Sequence, residues 1–332
     1  MNFYIHSHVL VFRFYLMLCD FWINTKSLHK SLTPIGPVCP LLSPHPIFHA
    51  LGKDRGGMMT DMMVVRAALP QTPMETPWGA PLVWGDSRNS AWRRAKFAQR
   101  GIRTGLLVLV VGSYSHFIRR FLSSAETYFL PGQMVTYYIL TDSPRSLEPP
   151  IELGPERQLK VLPVAELPGW ERLAYRRMVL LADAIREPIS GEVEYLFCAD
   201  VDQEFVAPVG EEILGDLVAT LHPELYGMPR NAFPYEIEEV SSAYVEEDEG
   251  DYYYTSELYG GLVSEMYRLA RACSLLILQD QSNRVVARGL EESYLNRYLI
   301  DHRPNLCAVT GVQVLLDKFK KVSNFHMKDC CF

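Results

Sequence analysis

Two aspartates stand one residue apart directly after an apolar run in the middle of the chain. The stretch EYLFCADVDQ places Asp200 and Asp202 at the end of what reads as a buried strand. Residues i and i+2 can both turn towards one point once the chain leaves regular pleating. Two hard carboxylate oxygens suit Mn²⁺ or Mg²⁺, and such an ion neutralises the charge of a leaving diphosphate. The pattern therefore indicates a site for a divalent metal and a diphosphate.

Other interpretations of the two aspartates are open at this point. Asp is common in loops after strands, so the pair also fits a turn without function. An Asp-x-Asp after a strand also occurs in aspartyl-phosphate chemistry, where the first carboxylate attacks phosphorus. That chemistry uses a pattern resembling Asp-x-Asp-x-Thr near the start of a chain. Here Glu204 stands two residues after Asp202 and the motif lies mid-chain, so we disfavour a phosphotransferase.

The elements that must position the aspartates alternate between strand and helix. Residues 104–112, 134–142 and 194–199 are apolar runs typical of buried strands, and residues 115–130 and 175–185 have helical spacing, with Ser115 as a possible N-cap. Such alternation predicts an α/β fold with a mostly parallel central sheet flanked by helices. In these sheets ligands bind at the carboxyl ends of the strands, where Asp200 and Asp202 stand.

Global composition excludes some classes of function. The chain has 332 residues, of which 48% are hydrophobic, with a net charge of -7. An acidic chain offers no basic footprint for a phosphate backbone, which argues against nucleic acid as a partner. The seven cysteines form no C-x-x-C pair and fix no redox compartment.

Composition also divides the chain. Residues 8–23 are mostly apolar but contain Arg13 and Asp20. A charge at the bilayer centre costs about 2.5 to 3.5 kcal/mol on insertion scales, so we expect a weak signal-anchor in residues 1–23. Residues 24–75 lack periodicity and are interpreted as a stem or linker. A folded domain is expected over residues 76–304.

Seven blocks of sequence carry a resemblance to a known family. They occur in the order TPWGAPLVW, FLSSAETYFLPGQMVTYYILTD, WERLAYRRM, EVEYLFCADVDQEF, LHPELYGMPRNAFPYE, DEGDYYYTSELYGG and EESYLNRYLIDHRP. Their order and spacing resemble glycosyltransferase family 6, which includes the histo-blood-group A and B transferases, the α1,3-galactosyltransferases, and the Forssman and isogloboside synthases. The resemblance covers residues 76–304 and identifies that segment as the catalytic domain.

The resemblance implies a fold, a reaction and a location. The fold is GT-A, a Rossmann-like fold of nucleotide-sugar transferases. The reaction moves galactose or N-acetylgalactosamine from UDP-Gal or UDP-GalNAc, with retention and with Mn²⁺ as cofactor, in α1,3 linkage to a terminal galactose or N-acetylgalactosamine of a glycolipid or glycoprotein glycan. The location is the Golgi membrane, in a single-pass type II orientation with a lumenal catalytic domain.

The resemblance also assigns roles by position. Asp200 and Asp202 match the motif that holds Mn²⁺ and the UDP diphosphate, and Glu292 matches the carboxylate proposed as nucleophile or as stabiliser of the anomeric carbon. Donor-binding positions are Tyr114, Arg177 and Leu109; acceptor-binding positions are His222 and Glu291; donor-specificity positions are Glu224, Thr255 and Glu257. Without the resemblance, Glu292 would be a first-turn glutamate favoured by the helix dipole.

Several positions depart from the family pattern. Gly289 replaces a tryptophan that forms an apolar platform for the acceptor, Glu291 replaces an aspartate, and Leu109 replaces an aromatic that stacks on uracil. The donor-specificity positions carry two carboxylates where the family places small or apolar residues. Residues 305–332 do not follow the family's basic C-terminal tail. These departures leave a second hypothesis open, a non-catalytic relative that binds UDP or glycan.

Overall fold

The computed structural model describes residues 75–83, 90–165 and 170–309 of this chain. The predicted signal-anchor, the stem up to residue 74 and the tail from residue 310 lie outside the described residues. Within the described ranges, no helix is long and apolar enough to cross a membrane.

Eight strands form one sheet at the centre of the described domain. They are β1 (Leu82–Val83), β2 (Arg103–Val110), β3 (Met134–Thr141), β4 (Arg157–Pro163), β5 (Tyr195–Ala199), β6 (Leu217–Leu221), β7 (Tyr254–Leu262) and β8 (Leu306–Val309). Their order is β1-β8-β6-β7-β5-β2-β3-β4. Only the two pairings of β7 are antiparallel among the strand pairs of this sheet. The predicted mostly parallel sheet is therefore confirmed.

Five α-helices surround the sheet. They are α1 (Ser90–Arg100), α2 (Ile118–Tyr128), α3 (Trp170–Ala184), α4 (Val263–Ser282) and α5 (Glu291–Asp301). The prediction that Ser115 caps the helix after β2 is wrong. A 3₁₀ turn over Gly112–Phe117 comes first, and α2 follows with Phe117 at its N-cap and no capping side chain.

Both faces of the sheet are buried. Leu106 and Val108 of β2 pack in one apolar cluster with Phe121 of α2, whereas Leu107 packs in another cluster with Met178 of α3. Successive strand residues point to opposite faces, so burial on both faces requires a continuous apolar run. This is the physical reason that the central strands could be recognised from the sequence.

Strand β7 brings a second segment to the edge of the sheet where β5 ends. It runs antiparallel between β5 and β6, so Ala199 at the end of β5 pairs with Leu258 in the middle of β7, and the start of β7 extends past the end of β5. The other end of β7 needs glycine, because a Cβ atom on Gly261, at φ +150°, would lie 2.1 Å from the carbonyl oxygen of Asp216. Residues 254–257 consequently lie beside the predicted metal-binding aspartates.

Candidate active site

Asp200 occupies the carboxyl end of β5, as the sequence predicts. Its backbone N–H donates to the carbonyl of Glu257 over 3.1 Å, which extends the pairing with β7 by one residue. Its carboxylate oxygen Oδ1 accepts a hydrogen bond of 2.6 Å from Nη2 of Arg177. Strand pairing fixes the backbone of Asp200, and the guanidinium fixes its side chain.

Arg177 joins three elements of the site. It projects from α3, and its Nη1 lies 3.3 Å from Oε1 of Glu291 at the start of α5. Its side chain is only 13% exposed. Burial alone lowers the guanidinium pKa, but attraction to Asp200 and Glu291 outweighs burial and raises that pKa well above its ordinary value. Arg177 is therefore a permanent positive charge between two carboxylates.

Glu291 is a buried carboxyl group. Its pKa is raised above the ordinary value, first by burial and further by repulsion from Asp200, while Arg177 opposes the shift. Arg177 lies closer to Asp200, at 2.6 Å, than to Glu291, at 3.3 Å. One positive charge thus interacts with two carboxyl groups, and its attraction to Glu291 is the weaker of the two.

Glu292 receives three hydrogen bonds from the segment at the start of β7. The hydroxyl of Tyr253 donates to Oε1 over 2.9 Å. The backbone N–H and the hydroxyl of Ser256 donate to Oε2 over 2.9 and 3.1 Å. Burial and the neighbouring carboxylate raise the pKa of Tyr253, so its phenol keeps the proton that it donates. Both carboxylate oxygens of Glu292 are held in place.

Asn296 fixes the helix that carries both glutamates. It is fully buried one turn after Glu292. Its amide accepts from the N–H of Tyr254 and donates to the carbonyl of the same residue, over 2.8 Å in each case. Nδ2 also donates to the carbonyl of Glu292 over 2.9 Å. Helix α5 is therefore connected to β7 twice, by the Asn296 amide, which bonds the backbone of Tyr254, and by the Glu292 carboxylate, which bonds Ser256.

The residue before α5 has an uncommon backbone conformation. Leu290 has φ +50° and ψ -130°, in a region that non-glycine residues seldom occupy. Such conformations cost on the order of 1 to 3 kcal/mol and persist where the surrounding contacts impose them. At this position the hydrogen bonds of Asn296 and Glu292 hold the helix that Leu290 must enter.

The remaining predicted donor residues lie around the same edge of the sheet. Leu109 lines a small, mainly apolar pocket with Leu140, Arg177 and Tyr259. Tyr114 lies in the 3₁₀ turn after β2, half-buried against the cluster on the α2 face of the sheet. Leu109 therefore shares a pocket with Arg177, whereas Tyr114 packs with the α2 face of the sheet.

The predicted acceptor residue His222 lies next to Tyr253, and the predicted specificity residues lie in β7 and in the loop after β6. His222 follows β6, donates its N–H to the carbonyl of Tyr253 over 2.8 Å, and has its ring centroid 5.9 Å from that of Tyr253. Thr255 is buried and its hydroxyl accepts from the N–H of Glu257 over 3.2 Å. Glu224 is exposed in the loop after β6.

Asp200 and Asp202 are the expected ligands of the divalent cation that the resemblance implies. In the described part of the chain, no three His, Cys, Asp or Glu side chains are grouped to hold a metal alone. Mg²⁺-type ions are commonly held by one or two carboxylates and completed by substrate phosphates. Asp200 has one oxygen bound to Arg177 and a second carboxylate oxygen, and Asp202 follows it by two residues. These residues fit an ion that arrives with a diphosphate.

Three residues that bind Glu292 were not among the predicted site residues, namely Tyr253, Ser256 and Asn296. Ser256 carried a signal, because it is a polar residue between two donor-specificity positions, Thr255 and Glu257. Asn296 carried another, since an uncharged amide four residues after Glu292 lies on the same helix face. Tyr253 carried none, being one of three successive tyrosines.

Comparisons with known proteins identify the family of this chain. The model of glycosyltransferase family 6 matches residues 60–323. The chain is 38% identical over 291 residues to the mouse globoside alpha-1,3-N-acetylgalactosaminyltransferase 1, covering 88% of this chain and 79% of that protein. It is 43% identical over 230 residues to the human protein of that name, covering 69% and 66%.

A further relative comes from the blood-group transferases. The chain is 38% identical over 251 residues to the rat histo-blood group ABO system transferase 1, covering 73% of this chain and 72% of that protein. The family match spans most of the chain, and the sheet has the mostly parallel order of a GT-A-like fold. The chain belongs to glycosyltransferase family 6.

Proposed function

We propose that this chain is a UDP-sugar-dependent α1,3-glycosyltransferase that retains anomeric configuration. It moves galactose or N-acetylgalactosamine to a terminal galactose or N-acetylgalactosamine of a glycolipid or glycoprotein glycan. The observation that carries the proposal is the bridge made by Arg177, which joins Asp200 to Glu291, the neighbour of Glu292. One buried cation thereby connects the expected diphosphate end of the donor with the expected sugar end.

The diphosphate end consists of Asp200, Asp202 and the guanidinium of Arg177. A bound divalent cation would be held by the two aspartates and would supply Lewis-acid neutralisation of the leaving diphosphate. Arg177 already lies 2.6 Å from Asp200 and is charged at every accessible pH. It orients the Asp200 carboxylate and adds a positive charge beside the bond that breaks.

The sugar end consists of Glu292 and the residues that bind it. Retention requires either a covalent glycosyl-carboxylate or attack on the same face while a carboxylate stabilises an oxocarbenium-like centre. Both oxygens of Glu292 accept hydrogen bonds. A carboxylate saturated with donors is a weaker nucleophile, so the arrangement favours the stabilising role.

The acceptor side is expected next to His222 and Tyr253. Gly289 stands where the family places its tryptophan, and a Cβ atom there would lie 3.6 Å from the hydroxyl of Tyr253. Tyr253 is thus an aromatic side chain close to the position at which the family has its tryptophan. Glu291, buried beside Arg177, is the carboxyl group available to an acceptor hydroxyl.

The donor and acceptor to test first follow from the relatives. Two proteins that share 38% and 43% identity with this chain are named as globoside N-acetylgalactosaminyltransferases. UDP-GalNAc and globoside are therefore the first pair to test, with UDP-Gal and other galactose-terminated glycans beside them. For location, we propose a type II Golgi membrane protein with an anchor in residues 1–23 and a stem over 24–75. The catalytic domain begins at residue 76 and includes strand β8 (Leu306–Val309), and the tail follows it up to residue 332.

The experiment combines binding and turnover on the full chain. UDP is titrated calorimetrically with Mn²⁺ and with EDTA, and transfer from radiolabelled UDP-GalNAc and UDP-Gal is then measured. Metal-dependent UDP binding with transfer supports the proposal. Metal-dependent binding without transfer supports the alternative, a non-catalytic relative, which the changes at Gly289 and Glu291 favour. No UDP binding in either condition contradicts the proposed transferase and leaves, of the alternative, only a relative that binds glycan.

A further inference from the structure

We propose that Tyr253 and Ser256 are positioning residues that hold the Glu292 carboxylate in one orientation for sugar transfer. The inference rests on the proposed function, and it goes further by assigning two residues from the start of β7 to that site. Three hydrogen bonds of 2.9, 2.9 and 3.1 Å connect these residues to the two carboxylate oxygens. All three donor groups lie outside α5, so residues of β7 and of the segment before it set the direction in which this carboxylate faces.

The two oxygens of Glu292 are held from different directions. Tyr253 precedes β7 and donates to Oε1, whereas Ser256 lies inside β7 and donates twice to Oε2. A carboxylate with donors on one oxygen could still rotate about its last side-chain bond. Donors on both oxygens restrict that rotation, so the plane of the carboxylate is defined.

The donors themselves are fixed. Tyr253 is 3% exposed, and its ring lies 5.3 Å from that of Tyr235. The backbone of the neighbouring Tyr254 is bonded in both directions to Asn296. Side chains that are locked by packing and by further hydrogen bonds hold a reacting group to a fraction of an ångström. These two residues and Asn296 therefore form one rigid support.

Position along the strand gives Ser256 a second consequence. It stands between Thr255 and Glu257, the two positions of β7 that are expected to contact the donor sugar. Ser256 separates these two positions and also donates to Glu292. A change in this segment therefore alters the placement of the Glu292 carboxylate as well as the expected sugar pocket. The orientation of Glu292 and donor selection are thus coupled through one strand.

The test replaces each donor group and provides a matched control for each. Y253F and S256A remove the two hydroxyls, and S256T restores the hydroxyl at residue 256. The control Y138F removes a buried phenol that donates to a carboxylate oxygen of Glu192 over 2.6 Å, and S274A removes a buried hydroxyl that donates to the carbonyl of Arg271. Neither control residue contacts Glu292 through these bonds, and neither belongs to the proposed site.

Turnover separates positioning from folding. We expect Y253F to lower kcat about tenfold, S256A somewhat less because its backbone N–H remains, and S256T to recover most of the loss. The KM for the UDP-sugar and the affinity for UDP should change less than twofold, and the two controls should keep kcat. An equal kcat in Y253F, S256A and the controls would overturn the inference.

A second measurement does not depend on turnover. Melting temperatures are compared for S256A, E292Q and the double variant. If Ser256 holds Glu292, the two losses overlap and the double variant melts higher than the sum of the single losses predicts. Additive losses would overturn the inference even in a chain that transfers sugar. If the losses in melting temperature overlap but the chain transfers no sugar, the contact between Ser256 and Glu292 is supported and only the proposed function is refuted.

Discussion

The guanidinium of Arg177 donates a hydrogen bond of 2.6 Å to Asp200 and so joins helix α3 to the carboxyl end of strand β5. The same side chain reaches Glu291 at 3.3 Å. A single buried cation therefore holds together two carboxylates that repel each other. Both the stability of the fold at this edge and the order of the site depend on it.

Replacing Arg177 by alanine should destabilise the protein by about 3 kcal/mol, because its removal leaves the buried carboxyl of Glu291 and the partly exposed carboxylate of Asp200 without their shared cation. R177K should recover part of this loss, since an ammonium cannot bridge both partners with a planar fork. Urea unfolding at pH 7 measures both variants. The control is R186A, whose partner Asp183 is exposed and whose loss should be small. Equal losses in R177A and R186A would contradict the bridge.

Asp202→Ala should reduce UDP affinity in Mn²⁺ to the level measured in EDTA while the melting temperature stays within a few degrees. A carboxylate after a strand end contributes little packing, so its loss should affect ion binding more than folding. Calorimetry with and without Mn²⁺ is the measurement. D216A provides the control, because Asp216 is exposed and precedes β6. Unchanged UDP affinity in D202A would remove Asp202 from the proposed metal site.

E292Q should lower kcat by about 100-fold or more without changing UDP affinity, because the amide cannot supply the negative charge beside the anomeric carbon. Initial rates with saturating donor give kcat. The matched control is E265Q, since Glu265 is likewise a first-turn glutamate, on α4, and shares any helix-dipole effect. A similar loss in both variants would favour the helix-dipole role over catalysis.

Asp280 predicts a dependence of stability on pH. Burial alone raises the pKa of this carboxyl, but hydrogen bonds from Ser242, Ser241 and Tyr294 outweigh burial and hold the pKa below its ordinary value. Because the folded pKa is depressed, the stabilisation is present above the unfolded pKa of about 3.9 and is lost as pH falls through the folded value. D280N should therefore cost about 1 to 3 kcal/mol at pH 7.

The comparison across pH tests this assignment. The gap in unfolding free energy between the wild type and D280N should narrow from pH 7 to pH 3, because Asp280 of the unfolded chain binds a proton near its pKa of about 3.9, which favours unfolding of the wild type. Asp183 is exposed, and D183N should show no comparable narrowing. A gap for D280N that stays constant with pH would mean that the hydrogen bonds do not depend on the charge of Asp280.

Residue patterns were sufficient for the main elements of the fold. Residues 134–142 were predicted as a buried strand, and β3 covers Met134–Thr141. Helix α2 begins three residues later than the Ser115 N-cap predicted, because a 3₁₀ turn comes first. Boundaries depend on local hydrogen bonds at the element ends, which apolar periodicity does not encode.

What the sequence by itself determined is the place of two acidic side chains in the fold. The apolar run of β5 and the two aspartates after it were enough to place them at the carboxyl end of a strand in a mostly parallel sheet. What only the tertiary structure decided is which groups meet there. Arg177 contacts Glu291 across 114 residues of chain, and Ser256 contacts Glu292 across 36. Periodicity shows which face of an element is buried, but the packing of the elements decides which residues meet. Helix α3 brings Arg177 to Glu291, and β7, which runs antiparallel beside β5, brings Ser256 to Glu292.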